Sequence, residues 1–429
     1  MLPTLQTTAP AFCSVTSAVA NTRFNIEDMR ACFPILEKNP ERIFFDNAST
    51  THKPVEVLEA INSFNTAACS NAGRGSYSWS TKLSRQVEEC RSEIADLLNT
   101  EATLVAFTAG ATDSLNLVAS SWGLSNLKDG DQVMVCAEDH QSAVLPWYNV
   151  KAMLHQFGVK IDIVTFAMHP TGTYDRKSIS DALSEKTRLI CFSHIHHVFG
   201  MEMDLPELRR LIPSSVLISL DASQSAGHIT IDAKRLDVDF ISFSGHKMFA
   251  SNGTGVLWTS PRALEGLWPS RVGAKTKIKQ TENGLEVDRS SLANLIECGT
   301  LNLPGILSMT TASRFLKEAR TNGSEEYISE LTKYLVRRLK NVPGMQFAPG
   351  IGVCDCTKGY GIVSFSIDGL RSGDIGAYLD SHDIFVRTGD HCLAKHDPQK
   401  ADLMRISLQL YNTIEEVDRF VEVLADACF

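Results

Sequence analysis

Two residues that follow apolar runs are suited to the chemistry of an aldehyde cofactor. Lys247 ends the string Phe-Ser-Gly-His-Lys, and Asp221 directly follows the apolar run 216–220. A lysine just past a buried strand can form a Schiff base with an aldehyde cofactor. An aspartate at the end of another strand can hold a pyridine nitrogen protonated, which makes the cofactor an electron sink. The pair predicts a cofactor site at the ends of two neighbouring strands.

A strand-to-helix turn at residues 108–112 could bind a phosphate group. The small residues of this turn let the backbone N–H of Ala111 and the hydroxyl of Thr112 approach an anion at the positive end of a helix. Ser244 and His246 flank the lysine and could both bond phosphate oxygens. The three segments together are consistent with a phosphorylated cofactor.

A cysteine and an arginine in the C-terminal part could act on a substrate. Cys392 lies in the loop Arg-Thr-Gly-Asp-His-Cys, where Gly389 permits an unusual backbone angle. The flanking His391 and Arg387 favour a thiolate. Arg405 stands inside an apolar stretch and needs an anionic partner, for which a substrate carboxylate is the natural choice.

Histidines near two strand ends could contact the same ligand. His140 ends the strand that follows the 108–112 turn along the chain, where an imidazole could stack on an aromatic ring or move protons. His194, His196 and His197 resemble a metal-binding run, but no spaced cysteine or carboxylate set accompanies them. No metal site is therefore expected.

Length and composition favour a two-domain enzyme without nucleic acid or membrane partners. The chain has 429 residues, of which 43% are apolar and 21% charged, and its net charge is −9. The negative balance argues against nucleic-acid binding, and no apolar run approaches the roughly 18 residues needed to cross a bilayer. The 11 cysteines have no framework spacing, which favours a reducing compartment. Residues 1–25 contain only one arginine, so we expect a flexible segment and a cytoplasmic protein rather than organellar import.

The pattern of strands and helices predicts an α/β domain with a mainly parallel sheet. Short apolar runs alternate with amphipathic segments, as in a sheet covered on both faces. The predicted strands are Leu104–Phe107, Val133–Cys136, Ile161–Phe166, Leu189–Ser193, Val216–Leu220 and Phe240–Phe243. The predicted helices between them include Ser84–Leu98, Ser114–Trp122 and Leu145–Phe157. Ligands of such sheets bind at the carboxyl ends of the strands.

The C-terminal part reads as a smaller α+β unit. Residues 274–289 are polar and predict a mobile loop, and 301–316 predict a connecting helix. Helices at 327–339 and 413–428 flank short strands at 362–365 and 384–387. We therefore expect a large domain over residues 26–300 and a small domain over 301–429 that carries the Cys392 loop.

Ten sequence blocks resemble a known family. From about Phe44 to the C-terminus the chain is similar to the class V aminotransferase group of pyridoxal phosphate enzymes, and most closely to cysteine desulfurases and selenocysteine lyases. The blocks are FDNASTTHKP (45–54), GRGSYSWS (73–80), FTAGATDSLNLVAS (107–120), EDHQSAVLPW (138–147), SHIHHVFG (193–200), DASQSAGH (221–228), FSGHK (243–247), ECGT (297–300), VRTGDHC (386–392) and RISLQLYNT (405–413). The resemblance implies the aspartate aminotransferase-like fold type I.

The resemblance also implies a role for each matching residue. The cofactor would be pyridoxal 5'-phosphate, bound covalently by Lys247. The catalytic residues implied are Lys247, Cys392 and His140; the cofactor-binding residues are Lys247, Asp221, Gln224, His140, Ala111, Thr112, Ser244, His246, Thr300 and His197; the substrate-binding residues are Arg405, Asn47, Arg74, His197 and Arg387. Thr300 and Arg74 would act on the neighbouring subunit, so a homodimer with shared sites is implied.

The function implied is that of a cysteine desulfurase, which converts L-cysteine to L-alanine and holds the sulfur as a persulfide on Cys392. A sulfur-acceptor protein would then be a partner. Three departures concern the substrate: His197 replaces an asparagine, Asp390 replaces a histidine, and Gly73 replaces a basic or polar residue. They leave an alternative open, a pathway enzyme of the same fold that acts on another amino acid as a C–S lyase, an epimerase or a bond-forming enzyme. A third hypothesis is a non-catalytic scaffold.

Overall fold

The computed structural model describes residues 24–73, 75–353, 358–394 and 402–428. Most of the segment 1–25 that we predict to be flexible, and the substrate residue Arg74, lie outside this part of the chain. Among the helices that are described, none combines the length and the apolar character needed to cross a bilayer.

Fifteen strands are formed by the described residues. In chain order they are β1 Ile43–Phe44, β2 Val105–Thr108, β3 Gln132–Cys136, β4 Asp162–Phe166, β5 Thr187–Ser193, β6 Leu217–Asp221, β7 Phe240–Ser244, β8 Gly255–Thr259, β9 Ile278–Thr281, β10 Gly284–Val287, β11 Met345–Phe347, β12 Ile362–Ile367, β13 Ile384–Phe385, β14 Arg387–Gly389 and β15 Leu403–Ser407.

The helices surround these strands. In chain order they are α1 Ile26–Ala31, α2 Pro34–Lys38, α3 Val55–Ala67, α4 Ser78–Leu97, α5 Ala111–Val118, α6 Leu124–Asn126, α7 Gln141–Gln156, α8 Arg176–Ala182, α9 Leu205–Leu211, α10 Ala233–Leu236, α11 Pro261–Glu265, α12 Leu292–Ile296, α13 Leu303–Thr321, α14 Ser324–Leu339, α15 Ser372–Asp380 and α16 Ile414–Asp426. A 3₁₀ turn at Gly245–Lys247 follows β7 directly.

The large sheet has seven strands in the order β2-β8-β7-β6-β5-β3-β4. The neighbours from β7 to β4 pair in parallel, whereas β8 is antiparallel to both β7 and β2. Residues of β3, β7 and β8 are buried throughout, as expected for strands covered by helices on both faces. The predicted α/β class and the six predicted strands are confirmed.

A second, antiparallel sheet lies in the C-terminal part, with the strand order β11-β12-β15-β14. Its core includes Phe365, Ile406 and Phe420, and two residues from far upstream, Ile43 and Phe45, join it. Those residues arrive because β1 pairs in parallel with β13. The division into domains at residue 300 stays a prediction; α13, just beyond it, packs against α3 and α4 of the N-terminal part.

Two sequence predictions need correction. Residues 274–289 are not a loop throughout, because β9 and β10 form an antiparallel hairpin within them. The strand predicted over 384–387 is two strands, β13 and β14, which pair with different partners. One face of the hairpin carries Ile278, Leu285 and Val287, but Gln280 interrupts it, so the apolar alternation by which a strand is recognised is short and incomplete.

Candidate active site

A cavity of about 250 Å³ lies at the carboxyl ends of the parallel strands. His140 follows β3, His197 follows β5, Asp221 ends β6 and Lys247 follows β7, so the sheet delivers four side chains to one edge. The cavity also contains most of the other predicted site residues, namely Ala111, Thr112, Gln224, Ser244, His246, Arg387, Cys392 and Arg405.

Lys247 is a buried amine at the centre of this cavity. Burial lowers the pKa of its ammonium group to about 8, while the Asp221 carboxylate opposes that shift. Asp221 itself is positioned by the backbone N–H of Ser223, which donates to its Oδ1 at 2.9 Å. Gly227 packs on the backbone of this turn so closely that a Cβ there would lie 2.3 Å from the Lys247 carbonyl oxygen. The backbone of this turn is therefore tightly packed, and the amine it carries is easily deprotonated.

The first turn of α5 forms a cradle beside the lysine. The backbone N–H of Ala111 donates to Ser244 Oγ at 2.8 Å, and the hydroxyls of Thr112 and Ser142 lie 2.8 Å apart. Free N–H groups at a helix start and the hydroxyls around them favour an anion. The predicted phosphate-binding residues are thus brought together by β2, α5 and β7.

Two glycines make this cradle possible. Gly110 has a φ of 155°, and a Cβ on Gly255 in the neighbouring strand would lie 2.4 Å from the Gly110 Cα. Only a residue without a side chain fits at position 255. The strand β8 was not predicted from the sequence, so this contact could not be expected.

His140 is a neutral imidazole with a defined tautomer. It is the N-cap of α7, and its Nδ1 accepts the backbone N–H of Ser142 at 3.1 Å. The ring proton therefore lies on Nε2. Burial lowers the pKa of His140, and the cationic Lys247 and Arg405 add to the effect, whereas Asp221 opposes it. The ring meets that of His197 edge-on, with centroids 5.1 Å apart.

His197 is buried and presents unpaired ring nitrogens. Within the described part of the chain, neither its Nδ1 nor its Nε2 has a hydrogen-bond partner. Its turn is fixed by the preceding His196, whose Nδ1 accepts the backbone N–H groups of Val198 at 3.2 Å and Phe199 at 3.1 Å. Burial keeps the pKa of His197 well below its ordinary value. A bound ligand would have to supply its partners.

Arg405 is a buried cationic side chain that lines the cavity. Its Nη1 donates to the His197 carbonyl at 3.0 Å, and its Nη2 donates to Asp46 at 3.0 Å and to Ser49 Oγ at 3.2 Å. Its Nε has no partner among the residues described. Burial lowers the pKa of Arg405, although Asp46 raises it. The guanidinium is oriented by three protein groups and keeps one donor free.

Cys392 lies next to a second arginine that lines the cavity, Arg387. Arg387 Nη2 is 3.9 Å from the Cys392 sulfur, and its Nη1 donates to Ser49 Oγ at 3.0 Å. The backbone N–H of Cys392 donates to Asp390 Oδ1 at 3.1 Å, and its carbonyl accepts from Gln141 at 3.0 Å. The loop is thereby docked on the start of α7. The Asp390 carboxylate thus accepts a hydrogen bond from the backbone of the loop, whereas the positive charge of Arg387 faces the Cys392 sulfur.

His391 completes this side of the cavity. Its Nε2 lies 3.1 Å from the Leu403 carbonyl, which fixes the ring proton on Nε2. Its Nδ1 is left as an acceptor without a partner in the described structure. Burial lowers the pKa of His391 to about 3, so the ring is neutral at physiological pH.

Two of the predicted residues that the structure describes are not brought into the cavity. Asn47 is buried behind it, where its amide donates to the Ser407 carbonyl at 2.7 Å and its Oδ1 accepts from Tyr411. Thr300 is exposed and lines a separate cavity of about 480 Å³. Arg74 lies outside the described residues. The neighbours of Asn47, by contrast, do line the site.

Sequence reasoning missed a buried acid behind the site. Asp139 is fully buried and accepts from the Tyr174 hydroxyl at 2.9 Å and from Ser193 Oγ at 3.1 Å. Burial raises the pKa of Asp139 to about 7, and Asp221 adds to the effect. Ser193 itself lines the cavity. Asp46 and Ser49, which orient both arginines, were also missed, although they lie in a block that was recognised.

Comparison with known proteins gives consistent matches over nearly the whole chain. The family described as aminotransferase class-V matches residues 43–420. A probable cysteine desulfurase from Borreliella burgdorferi is 31% identical over 422 residues, which are 96% of this chain and 97% of that protein. A cysteine desulfurase from Escherichia coli, solved in an S-sulfonic acid form, superposes with a TM-score of 0.83 at 25% identity, covering 94% of this chain and 98% of that one. The apo cysteine desulfurase from Thermococcus onnurineus superposes with a TM-score of 0.85 at 26% identity, covering 94% and 97%.

Proposed function

Since the chain belongs to the class-V aminotransferase family, we propose that it is a pyridoxal phosphate-dependent cysteine desulfurase. It would convert L-cysteine to L-alanine and hold the sulfur as a persulfide on Cys392. The predicted fold type I agrees with the relatives of known structure. The observation that carries the proposal is the single cavity in which Lys247 and Asp221 meet Cys392 and two arginines.

The cavity fits pyridoxal phosphate. Its cradle at α5 suits a phosphate group, and the buried Oε1 of Gln224 lacks a partner in the described structure, as a group reserved for a ligand would. Lys247 would bind the aldehyde carbon, Asp221 the ring nitrogen, and His140 would pack on the ring. When bound, pyridoxal phosphate withdraws electrons from the substrate Cα, so that the Cα proton becomes acidic and the Cβ–sulfur bond can break.

Arg405 and Lys247 prepare the substrate in this proposal. Arg405 binds the substrate carboxylate with its free Nε, and Asp46 and Ser49 keep the guanidinium in place. The pKa of Lys247 is about 8, so a fraction of the amine is neutral at pH 7 and can take the proton from Cα. Burial of both groups excludes water from the proton transfer.

Cys392 receives the sulfur. Arg387 Nη2 lies 3.9 Å from its sulfur and places a positive charge beside it. The thiolate attacks the substrate sulfur, a sulfur–sulfur bond forms, and the bond between that sulfur and Cβ breaks. The electron pair of the broken bond stays on the carbon side, which takes up a proton and leaves as L-alanine. No external oxidant is needed, because L-cysteine and the enzyme thiol together contain all atoms of L-alanine and the persulfide.

The test follows alanine and sulfide released from L-cysteine under anaerobic, reducing conditions. We expect matched amounts from the native enzyme, loss of all turnover in Lys247→Ala, and loss of sulfur transfer with retained cofactor absorbance in Cys392→Ala. Cys69→Ala is the matched control, because Cys69 is an exposed free cysteine. Full sulfide release by Cys392→Ala would contradict the persulfide, and no alanine from the native enzyme would contradict the function.

A second candidate follows from His197, whose buried and unpaired ring nitrogens could bind a substrate other than cysteine. The enzyme would then act on another amino acid as a C–S lyase, an epimerase or a bond-forming enzyme. His197→Asn separates the two candidates. A gain of cysteine activity in this variant favours the second candidate, whereas unchanged or lower activity favours the desulfurase.

The assembly proposed is a homodimer in the cytoplasm that passes sulfur to an acceptor protein. Thr300 supports the dimer, because it is exposed and remote from the cavity of its own chain, as a residue serving a neighbouring subunit would be. The mass in solution tests the dimer. Weaker cofactor binding in Thr300→Ala would support a shared site, and a monomer with full activity would contradict it.

A further inference from the structure

Lys53 is a half-buried cation that the reaction proposed above does not use. Its Nζ donates to the carbonyl oxygens of Thr51 and His246, the latter at 3.3 Å, and lies 3.4 Å from Thr50 Oγ1. All three acceptors are neutral oxygens. Burial lowers the pKa of Lys53 to about 8, so the side chain is still mostly charged at pH 7. Among the described residues its hydrogen-bond partners are neutral dipoles, and a half-buried ammonium group in such a setting gains from any anion that binds nearby.

The carbonyl that Lys53 reaches belongs to the turn of the catalytic lysine. The backbone N–H of Thr51 donates to the same His246 oxygen at 2.9 Å, and Thr51 Oγ1 accepts from Phe249 at 2.9 Å. The segment 50–53 therefore braces residues on both sides of Lys247. The positions of His246 and Lys247 depend on a segment almost two hundred residues earlier in the chain.

This turn is also part of the anion cradle. Ser244, three residues before Lys247, accepts the backbone N–H of Ala111 at 2.8 Å, and His246 lines the cavity. The Lys53 ammonium lies 3.3 Å from the carbonyl oxygen of His246, so its charge stands next to a residue that lines the cavity. His246 is neutral near pH 7 because burial lowers its pKa to about 4. Lys53 thus supplies a positive charge that His246 cannot.

We propose that Lys53 is a positioning residue for the phosphate end of the cofactor: it braces the 244–247 turn and presents an unneutralised charge behind it. The inference rests on the proposed function, since it needs a phosphorylated ligand in the cavity. The charge of Lys53 would stabilise the phosphate group from behind the 244–247 turn, and Lys53 would not contact the substrate.

The experiment compares the affinity of the full-length apoenzyme for pyridoxal 5'-phosphate and for pyridoxal, which lacks the phosphate. Binding is followed by ligand absorbance, so no turnover is required. We expect Lys53→Met to weaken pyridoxal phosphate binding about tenfold or more and pyridoxal binding much less, because loss of the brace affects both ligands whereas only the phosphate senses the lost charge. Lys53→Arg should retain both affinities. Lys38→Met, at an exposed lysine, is the control.

Two results would overturn the inference: an equal loss of affinity for both ligands, which indicates a purely structural role, or no loss for either. Lys53→Gln keeps a hydrogen-bonding side chain without the charge, and it gives the same comparison if Lys53→Met does not fold. A native enzyme that binds pyridoxal phosphate but releases no alanine from cysteine would refute the proposed reaction and leave the role of Lys53 supported.

Discussion

The buried acid behind the site gives a prediction about stability and pH. Asp139 is fully buried and accepts hydrogen bonds from Tyr174 and Ser193, yet burial raises its pKa from 3.8 to about 7. Asp139→Asn keeps an acceptor oxygen for both hydroxyls and removes the ionisation. The substitution therefore isolates the free energy that the folded protein loses when this carboxyl must ionise.

The sign follows from the two pKa values. Between pH 3.8 and about 7 the folded protein keeps the Asp139 proton and the unfolded chain does not, so the native protein loses stability as the pH rises through this window. About three pH units at about 1.4 kcal/mol each give a loss of about 4 kcal/mol, complete above pH 7. His196, with its Nε2 3.7 Å from Asp139, does not compensate, because burial lowers its pKa to about 4 and it stays neutral over most of the window.

The assay is the thermal unfolding midpoint of native enzyme and Asp139→Asn at pH 5, 6, 7 and 8. We expect the midpoint difference to move in favour of the asparagine variant from pH 5 to 7 and to stay constant above pH 7. Asp181→Asn, at a surface residue paired with Lys177, should show no such trend. A difference for Asp139→Asn that does not change with pH would refute the reasoning, because the carboxyl would then have the same pKa in both states.

Three further predictions concern a buried ion pair, a glycine behind the anion cradle, and the amine of Lys247. Arg91→Met should destabilise the protein by about 3–5 kcal/mol, measured as a lower unfolding midpoint, because it leaves the buried Glu297 carboxylate without its bidentate partner; an unchanged midpoint would contradict this. Gly255→Ala should weaken binding of pyridoxal phosphate, measured by absorbance, because the added Cβ would lie 2.4 Å from the Gly110 Cα; native affinity in a folded variant would show that the strands separate freely. The rate at which the apoenzyme binds pyridoxal phosphate should rise with pH, with its midpoint at about pH 8, because the neutral amine of Lys247 is the reactive form; a rise centred near 10.5 would contradict the lowered pKa.

The sequence predicts those parts of the site that depend on strand ends. His140, Asp221 and Lys247 each follow an apolar run, and parallel strands bring their carboxyl ends to one edge, so their meeting could be inferred without coordinates. A residue whose role was implied only by the resemblance, Gln224, also lines this cavity. Asn47 belonged to a correctly recognised block, yet its side chain faces away, because sequence similarity locates a segment and not a rotamer.

Other features depend on contacts that no local pattern encodes. Asp139 directly precedes His140, but its partner Tyr174 is 35 positions away and on another element. The β9–β10 hairpin was predicted as a loop, although Asn283 and Gly284 form a dipeptide typical of hairpin turns. The strands on either side of this dipeptide are too polar to show the apolar alternation from which a strand is predicted, because that alternation arises where one face of a strand is buried.

The pairing of β1 with β13 fixes when the site can be completed during synthesis. Residues 43–46 leave the ribosome long before their partners at 384–385 and the strand containing Arg405 and Ser407, because these lie more than 300 positions later in the chain. Until then Phe45 has no core to join, and Asp46 cannot orient Arg405. The entropy lost on closing a loop grows only with the logarithm of the loop length, so closing this long loop costs little more free energy than closing a shorter one. A chain truncated before residue 384 would keep the complete seven-stranded sheet and Lys247, but it would lack the means to bind a substrate.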